Sequence, residues 1–260
     1  MLVHLVADYG AGDLAAAEVR ARLAMHLPGC VVSYTPVGAF DTLAAGFCIA
    51  QLALAEGPVE RLVYHNVAPR EDVDDPRPDN DGEPLVSARL ANGAWVIGVA
   101  AGSTLAFVAE EVEEIHEVVV PRTGSQFRSR DAFPALLPGL LAGNTDLLAA
   151  PLDRQQLPVV PAHAVAYVDG YGNLKTTWQE LSVEAGTRVR VRVAGVEADA
   201  IVNDGTFAVA AGELSFAPGS SGWTTRTGDR RRWYELLVRG GSAAELFGCP
   251  APGAPVDIVG

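Results

Sequence analysis

Three short segments gather residue types that can do chemistry. The first, Asp8-Tyr9-Gly10-Ala11-Gly12-Asp13, follows the apolar run Leu2 to Ala7. If that run is a strand of an open parallel sheet, its carboxyl end is where ligands bind. A carboxylate there suits ribose hydroxyls or a cationic amine; its alternative role is to cap the next helix. Gly10 to Ala15 also satisfies the loose G-x-G-x-x-A dinucleotide fingerprint, but Asp8 and Asp13 would crowd a pyrophosphate and Ser33-Tyr34-Thr35 offers no acid for the ribose, which disfavours NAD. The second segment, Ser125 to Phe133, leads into a helix near Asp131. Backbone N–H groups at that start, with Ser129 beside them, could hold an anion, water or carboxylate, against the alternative of an ordinary capped helix start. The third, Asp169-Gly170-Tyr171-Gly172-Asn173, is a two-glycine turn that presents an acid, an aromatic ring and an amide together. It fits a purine stacked on Tyr171 with Asp169 and Asn173 on polar groups, or plain hairpin chemistry. His65, at a strand end, is a candidate general base or a structural histidine. The histidines are scattered and no Cys/His cluster occurs, so no metal site is expected.

These segments need elements to position them. Strand-like and helix-like runs alternate through the first half: Leu2 to Ala7, Leu14 to Leu27, Cys30 to Tyr34, Asp41 to Ala55 and Arg61 to Tyr64. Such alternation predicts parallel strands with crossover helices, with Asp41 as an N-cap. Further runs follow at Trp95 to Val99, Thr104 to Val112 and Ile115 to Pro121, before a helix from Asp131 to Ala142. Glu71 to Glu83 is acidic and Pro-rich and reads as a solvated loop. Past a Pro-rich stretch the pattern changes to short strands, among them the strictly alternating Arg188 to Val193. The expected architecture is an α/β N-terminal domain (1–150) with a mainly parallel central sheet, a linker (151–162), and a smaller all-β, barrel-like C-terminal domain (163–260).

Composition narrows the partners. With 260 residues, 49% hydrophobic and 20% charged, the chain can bury a sizeable core. A net charge of -13 opposes a polyphosphate backbone, and Arg230-Arg231-Arg232 is the one basic run, so nucleic acid is not an expected main partner. Three unpaired-looking cysteines, a start without signal-peptide character and no apolar run of about 20 residues point to a cytoplasmic protein without a membrane span.

Taken in order along the chain, the segments resemble the S-adenosylmethionine hydroxide adenosyltransferase family, which also contains the fluorinases and chlorinases. Asp8-Tyr9-Gly10 is similar to the family's Thr-Asp-Phe-Gly, and Ala39-Phe40-Asp41 resembles the halogenases' Pro-Trp-Asp. Ser125 to Phe133 resembles the hydrolases' Ser-Thr-Phe-His-Gly-Arg-Asp-Ile-Phe and, through Phe127 to Arg130, the halogenases' Phe-Tyr-Ser-Arg-Glu. Asp169 to Thr177 is similar to Asp-x-Phe-Gly-Asn-x-x-Thr-Asn; Gly219 to Gly222 resembles Asn-Ser-Ser-Gly, and Gly241 to Leu246 the closing Gly-Ser-Ala-Ala segment.

The resemblance implies a homotrimer whose adenosyl ligand lies between the first domain of one subunit and the second domain of its neighbour. It implies that Asp8 binds the ribose hydroxyls and Phe40 packs where a halogenase tryptophan does. Tyr171 would stack on the adenine, Asp169 and Asn173 would hold the amine and carboxylate region, and Ser220 with Ser221 the methionine end. The implied reaction is attack of water or hydroxide on the ribose C5′ of S-adenosylmethionine, as substrate and with no cofactor, giving adenosine and methionine. The chain departs from the hydrolases where they orient water: Tyr64 to Arg70 stands for Asp-Pro-Gly-Val-Gly and the arginine after it, and Arg128 for their histidine. His65, Arg70, Arg128 and Ser129 are therefore the catalytic candidates. The alternatives are a catalytically impaired binder of S-adenosylmethionine or adenosine, and adenosyl transfer to halide or another nucleophile, since Ser129 matches a halide-site serine.

Overall fold

The computed structural model describes residues 1–69, 82–121 and 125–259, which fall into two compact units, Met1–Val159 and Val160–Gly260. In the first unit the opening alternation builds β1 (Leu2–Ala7), α1 (Leu14–His26), β2 (Val31–Pro36), α2 (Thr42–Leu54) and β3 (Arg61–Asn66). Asp13 starts α1 by accepting from Ala15 N at 2.7 Å, and Asp41 starts α2 by accepting from Ala44 N at 2.9 Å. Four strands follow, β4 (Leu85–Leu90), β5 (Trp95–Val99), β6 (Val112–Val118) and β7 (Leu148–Pro151), with the short α3 (Arg128–Asp131) and α4 (Phe133–Leu141) between the last two.

The seven strands form one sheet in the order β2-β1-β3-β5-β4-β6-β7. The expected α/β domain with a mainly parallel sheet is corrected here: β2, β1, β3 and β5 run parallel, whereas β5–β4, β4–β6 and β6–β7 are antiparallel. The cause is the turn Ala91-Asn92-Gly93-Ala94. Gly93 takes φ 83° and Asn92 Oδ1 accepts from Ala94 N at 3.0 Å, which joins β4 to β5 directly. A two-strand hairpin can only be antiparallel. Sheet rather than helix dominates the chain.

One face of this sheet (Val3, Leu5, Leu62, Tyr64, Ile97) packs on Val19 and Leu23 of α1 and Phe133, Leu137 and Leu140 of α4. The opposite face meets α2, which is buried almost all round. At Gly46 of α2 a Cβ would run into the carbonyl of Ser103, so only glycine allows that approach.

The second unit is also a seven-stranded sheet. Its strands are β8 (Val165–Val168), β9 (Leu174–Thr176), β10 (Arg188–Val193), β11 (Val196–Val202), β12 (Leu214–Thr224), β13 (Arg230–Val238) and β14 (Val256–Ile258). The order is β14-β10-β11-β12-β13-β9-β8, antiparallel except for β11–β12. Its outer strands meet: Ala164 bridges to Pro255, Val165 N donates to Ala254 O at 2.8 Å and Val256 N to His163 O at 2.7 Å, so the sheet nearly closes into a barrel. In β10 the valines point inward and the arginines outward, Arg190 opposite Asp199 and Arg192 opposite Glu197. The short α5 (Ala243–Leu246) packs on the β8–β9 turn, Ala244 N donating to Gly172 O at 2.8 Å. Among the described residues no helix is long and apolar enough to cross a membrane.

Candidate functional site

Two groups of polar residues stand out, one on each unit. The first lies at the carboxyl ends of β1 and β3. Asp8 does not cap α1, a role Asp13 takes; its Oδ2 reaches across to accept from Phe40 N at 2.9 Å. Phe40 is half exposed with φ 60°, a left-handed conformation that a bulky residue adopts only when its surroundings hold it. The Asp8 bond supplies that hold, and Asp41 closes the same turn by donating its N–H to Gly38 O at 3.1 Å. Burial pushes the Asp41 carboxyl upward while it caps α2.

Next to Asp8, Tyr9 turns to the opposite side. Its ring meets Phe127 edge-on at 5.6 Å, and its hydroxyl lies 2.7 Å from Ser129 Oγ. Tyr64 donates its hydroxyl to Ser129 O at 2.6 Å, Asn66 hydrogen-bonds Tyr9, and Tyr34 donates to Gly10 O at 3.1 Å. Desolvation raises the Tyr9, Tyr64 and Tyr34 hydroxyls above the ordinary phenol value, so all three remain protonated at neutral pH. The result is a neutral hydroxyl cluster, with Ser129 buried at its centre.

The start of α3 is occupied from within. Ser125 Oγ accepts from Phe127 N at 3.0 Å and bonds the Asp131 carboxylate, which also takes two bonds from Arg130 at 2.7 and 2.8 Å. Arg130 in turn reaches Glu18 at 2.8 Å. Hydrogen bonds from Arg130, then Ser125, hold the Asp131 carboxyl well below the usual range. A carboxylate at this helix start opposes an external anion, so the segment reads as a braced helix start that presents Ser129. Arg128 sits with its guanidinium 5.0 Å from the Phe133 ring centre.

His65 does not join this group. Neighbouring side chains on a strand point to opposite faces, so Tyr64 and Asn66 face the hydroxyl cluster while His65 points to the α2 side. It is fully buried with neither ring nitrogen hydrogen-bonded, and burial lowers its pKa to about 3, which leaves it neutral. Its ring fits because Gly98 opposite has no side chain: a Cβ there would collide with the imidazole and the His65 carbonyl. Arg70 lies outside the described residues, as does 71–81 of the acidic segment.

The second group is built on the β8–β9 turn. Asp169 Oδ1 accepts from Tyr171 N at 2.9 Å and Asn173 N at 3.0 Å, and Oδ2 accepts from Asn173 Nδ2 at 3.0 Å. Gly172 takes φ 78°, and a Cβ there would collide with Ser242 Oγ. Asp169 and Asn173 thus shape the turn, and Tyr171 is left 84% exposed at its tip. Two residues on, Lys175 donates to Glu235 Oε1 at 2.7 Å and stands 3.7 Å from Asp169 Oδ2. Ser221 Oγ donates to the same Glu235 oxygen at 3.3 Å. Gly219 leaves room for this carboxylate, since a Cβ there would overlap it. Asp169, Asn173 and Ser221 therefore belong to one network; Ser220 is exposed on the bulge of β12 beside it.

Sequence reasoning missed Tyr9, Tyr64 and Asn66 as partners of Ser129, and the Lys175–Glu235 pair. Glu235 was visible as a lone acid among Trp233, Tyr234, Leu236 and Leu237. Among the described residues no group of His, Cys, Asp and Glu is disposed to hold a metal ion.

No protein-family model matches the chain, and no curated protein does. Among solved structures it is similar to an uncharacterized conserved protein from Thermotoga maritima, with a TM-score of 0.77 and 22% identity over 99% of this chain and 100% of that one. It is also similar to a conserved hypothetical protein from Thermus thermophilus, with a TM-score of 0.67 and 22% identity over 99% of both chains. The likeness is one of fold.

Proposed function

We propose that the chain cleaves S-adenosylmethionine by attack of water or hydroxide at the ribose C5′, as a cytoplasmic homotrimeric member of the hydroxide adenosyltransferase family it resembles. The observation that carries this reading is the convergence at one sheet end of Asp8 with Phe40, and of Tyr9 with Phe127 and Ser129, from three separate stretches of chain. That end is where parallel strands present ligands. In this reading Asp8 accepts from the ribose hydroxyls, Phe40 packs against the sugar, and Ser129 faces the nucleophile. On the second unit, exposed Tyr171 offers its ring to adenine, while the Asp169–Asn173 turn with Ser220 and Ser221 takes the amino-acid end.

The chemistry asks little covalent help. The C5′–S bond breaks with its electron pair going to sulfur, the sulfonium becomes neutral methionine, the new C5′–O bond gives adenosine, and the proton of water leaves to solvent. Catalysis then rests on alignment and on stripping water from the nucleophile. Tyr9 and Ser129 supply neutral hydroxyls that can orient water without competing as nucleophiles, and the buried Tyr64 hydroxyl holds Ser129 in place through its carbonyl.

One observation favours a second reading, a binder without turnover. His65, which stands at or beside the position of the hydrolases' aspartate, is sealed in the core and neutral, so it offers no base to the site.

Incubation of the purified chain with S-adenosylmethionine, with and without chloride or fluoride, followed by chromatography, separates the outcomes. Equal amounts of adenosine and methionine support cleavage, and a halogenated adenosine supports transfer to halide. Calorimetric binding without product supports the binder. Neither binding nor product sinks both.

A further inference from the structure

Asp8 and Phe40, which have separate tasks in the adenosyl reading, are one mechanical unit. β1 and β2 run parallel with Ala7 opposite Pro36, and Val37 N donates to Ala7 O at 3.0 Å, so the chain leaving β2 is fastened beside the end of β1. Phe40 N then donates to Asp8 Oδ2 at 2.9 Å. The far side of Phe40 is fixed as well. Asp41 caps α2, Thr42 N donates to Phe40 O at 3.0 Å, and Thr42 Oγ1 accepts from Ser103 N at 3.1 Å. A Cβ at the adjoining Gly102 would collide with Thr42, so this anchorage is close-packed.

The conformation so imposed on Phe40 is unfavourable. A φ of 60° suits glycine or asparagine and strains a bulky side chain. Burial offers little in return, since Phe40 is 54% exposed. What the left-handed backbone does is aim an N–H. With the chain beyond it pinned by Thr42, a change of φ at Phe40 swings the 39–40 peptide, and its N–H, away from Asp8. The bond it makes there is charge-assisted and directional, so it fixes the plane of the part-buried carboxylate with Oδ2 engaged. Oδ1 accepts no hydrogen bond among the described residues and keeps both lone pairs available at the carboxyl end of β1.

We propose that Phe40 is a positioning residue that acts through its backbone: its left-handed conformation holds the Asp8 carboxylate at the angle that reads two neighbouring hydroxyls, and so sets selectivity for a nucleoside with an intact 2′,3′-diol. The inference rests on the adenosyl reading, in which Asp8 meets the ribose. The diol brings two donors. Oδ1 offers two lone pairs and Oδ2 one more, enough for both hydroxyls while Phe40 N stays bonded. A carboxylate free to rotate has to be ordered when the ligand arrives, whereas one already held does not carry that cost. A sugar lacking either hydroxyl strips water from the same carboxylate and leaves an acceptor unmatched, which is how a held polar group discriminates. The selectivity therefore belongs to the backbone at position 40, and the aromatic ring adds affinity without choosing between sugars.

The test is titration calorimetry of the full chain with adenosine, 2′-deoxyadenosine and 3′-deoxyadenosine, for the wild type and for Phe40→Asn, Phe40→Gly and Phe40→Val. The wild type should prefer adenosine to either deoxynucleoside by at least about tenfold. Asparagine and glycine accept the left-handed conformation, so both variants should bind all three ligands more weakly and keep that ratio. Valine, branched at Cβ, does not accept it, and its ratio should fall to within about threefold. Thermal melts without ligand report the strain separately: Phe40→Asn should melt no lower than the wild type, and Phe40→Val lower by roughly 3 °C or more. A Phe40→Val variant with the wild-type ratio overturns the proposal. Loss of the ratio in Phe40→Asn and Phe40→Gly also overturns it and assigns selectivity to the ring. Adenosine binding by the wild type with no preference for the diol overturns it while leaving the adenosyl reading in place. Absence of binding by both adenosine and S-adenosylmethionine sinks the adenosyl reading itself, and this inference with it.

Discussion

Replacing Lys175 by methionine isolates the energetics of the second unit's polar network. The Lys175 side chain is 10% exposed and the Glu235 side chain 3%, with 2.7 Å between the charged atoms. Methionine fills the space of the lysine stem but leaves the buried Glu235 carboxylate, 3.3 Å from the Ser221 hydroxyl, without its cation, and removes the cation 3.7 Å from Asp169. Removing one partner of a buried ion pair costs about 3–5 kcal/mol. For a unit of this size each kcal/mol shifts the melting temperature by roughly 4–8 °C, so Lys175→Met should lower it by about 15 °C or more. Glu235→Gln should cost less, about 1–2 kcal/mol, because Lys175 keeps Asp169 at 3.7 Å and the amide can still accept. Lys175→Met combined with Glu235→Leu should recover most of the loss, since a well-packed apolar pair replaces a buried ionic one at little penalty. Thermal melts and urea titrations of the wild type and three variants give the four values. A Lys175→Met variant within about 1 kcal/mol of wild type, or a double variant no better than the single one, would refute the claim that this pair is buried and charged.

Acid sensitivity should trace to His65. Its folded pKa, about 3, lies below the unfolded value, so the unfolded chain takes up the proton first and stability drains away as pH falls below about 6.5. Between pH 7 and pH 4 this amounts to about 3 kcal/mol, and His65→Leu should flatten the melting-temperature profile across that window; an unchanged slope contradicts the assignment. Gly98→Ala, which drives a methyl into the His65 ring and carbonyl, should destabilise by about 3 kcal/mol or more, measured by urea titration. Asp8→Ala frees the Phe40 N–H and should weaken S-adenosylmethionine binding at least tenfold (~1.4 kcal/mol) with the fold intact by circular dichroism. Asp169→Ala should abolish binding because the whole turn loses its brace, and wild-type affinity in that variant would displace the ligand from this turn.

What could be read from the sequence was local. The β-α alternation from Leu2 to Tyr64 and the cap at Asp41 depend on residues within one or two turns of chain, and they formed as their patterns require. The Asp169 turn is contiguous, so its acid, amide and glycines could be seen together. Strand direction was not legible in the same way: β4 follows the acidic Pro-rich segment, and only Asn92-Gly93 marks it as half of a hairpin rather than a step in a parallel series. The pairs Tyr9–Ser129 and Lys175–Glu235 join residues 120 and 60 positions apart, which no spacing rule reaches. His65 illustrates a third limit. Whether a residue at a strand end faces a site or the core turns on a one-residue alternation, and the apolar run Arg61 to Asn66 shows no alternation because both of its faces are covered.

The bridge between Ala164 and Pro255 bears on how the second unit comes apart. Terminal strands usually fray first, because one edge of each has nothing beside it. Here the first and last strands of the unit protect one another through Val165 and Val256, so neither can peel away without opening the ring. Amide exchange at these two positions should therefore be as slow as in β11 and β12, and follow global unfolding rather than local breathing. A sheet that nearly closes on itself in this way also leaves little unpaired backbone to template aggregation, in contrast to the first unit, where β2 is an edge strand of the sheet among the described residues and Val31 is at the surface.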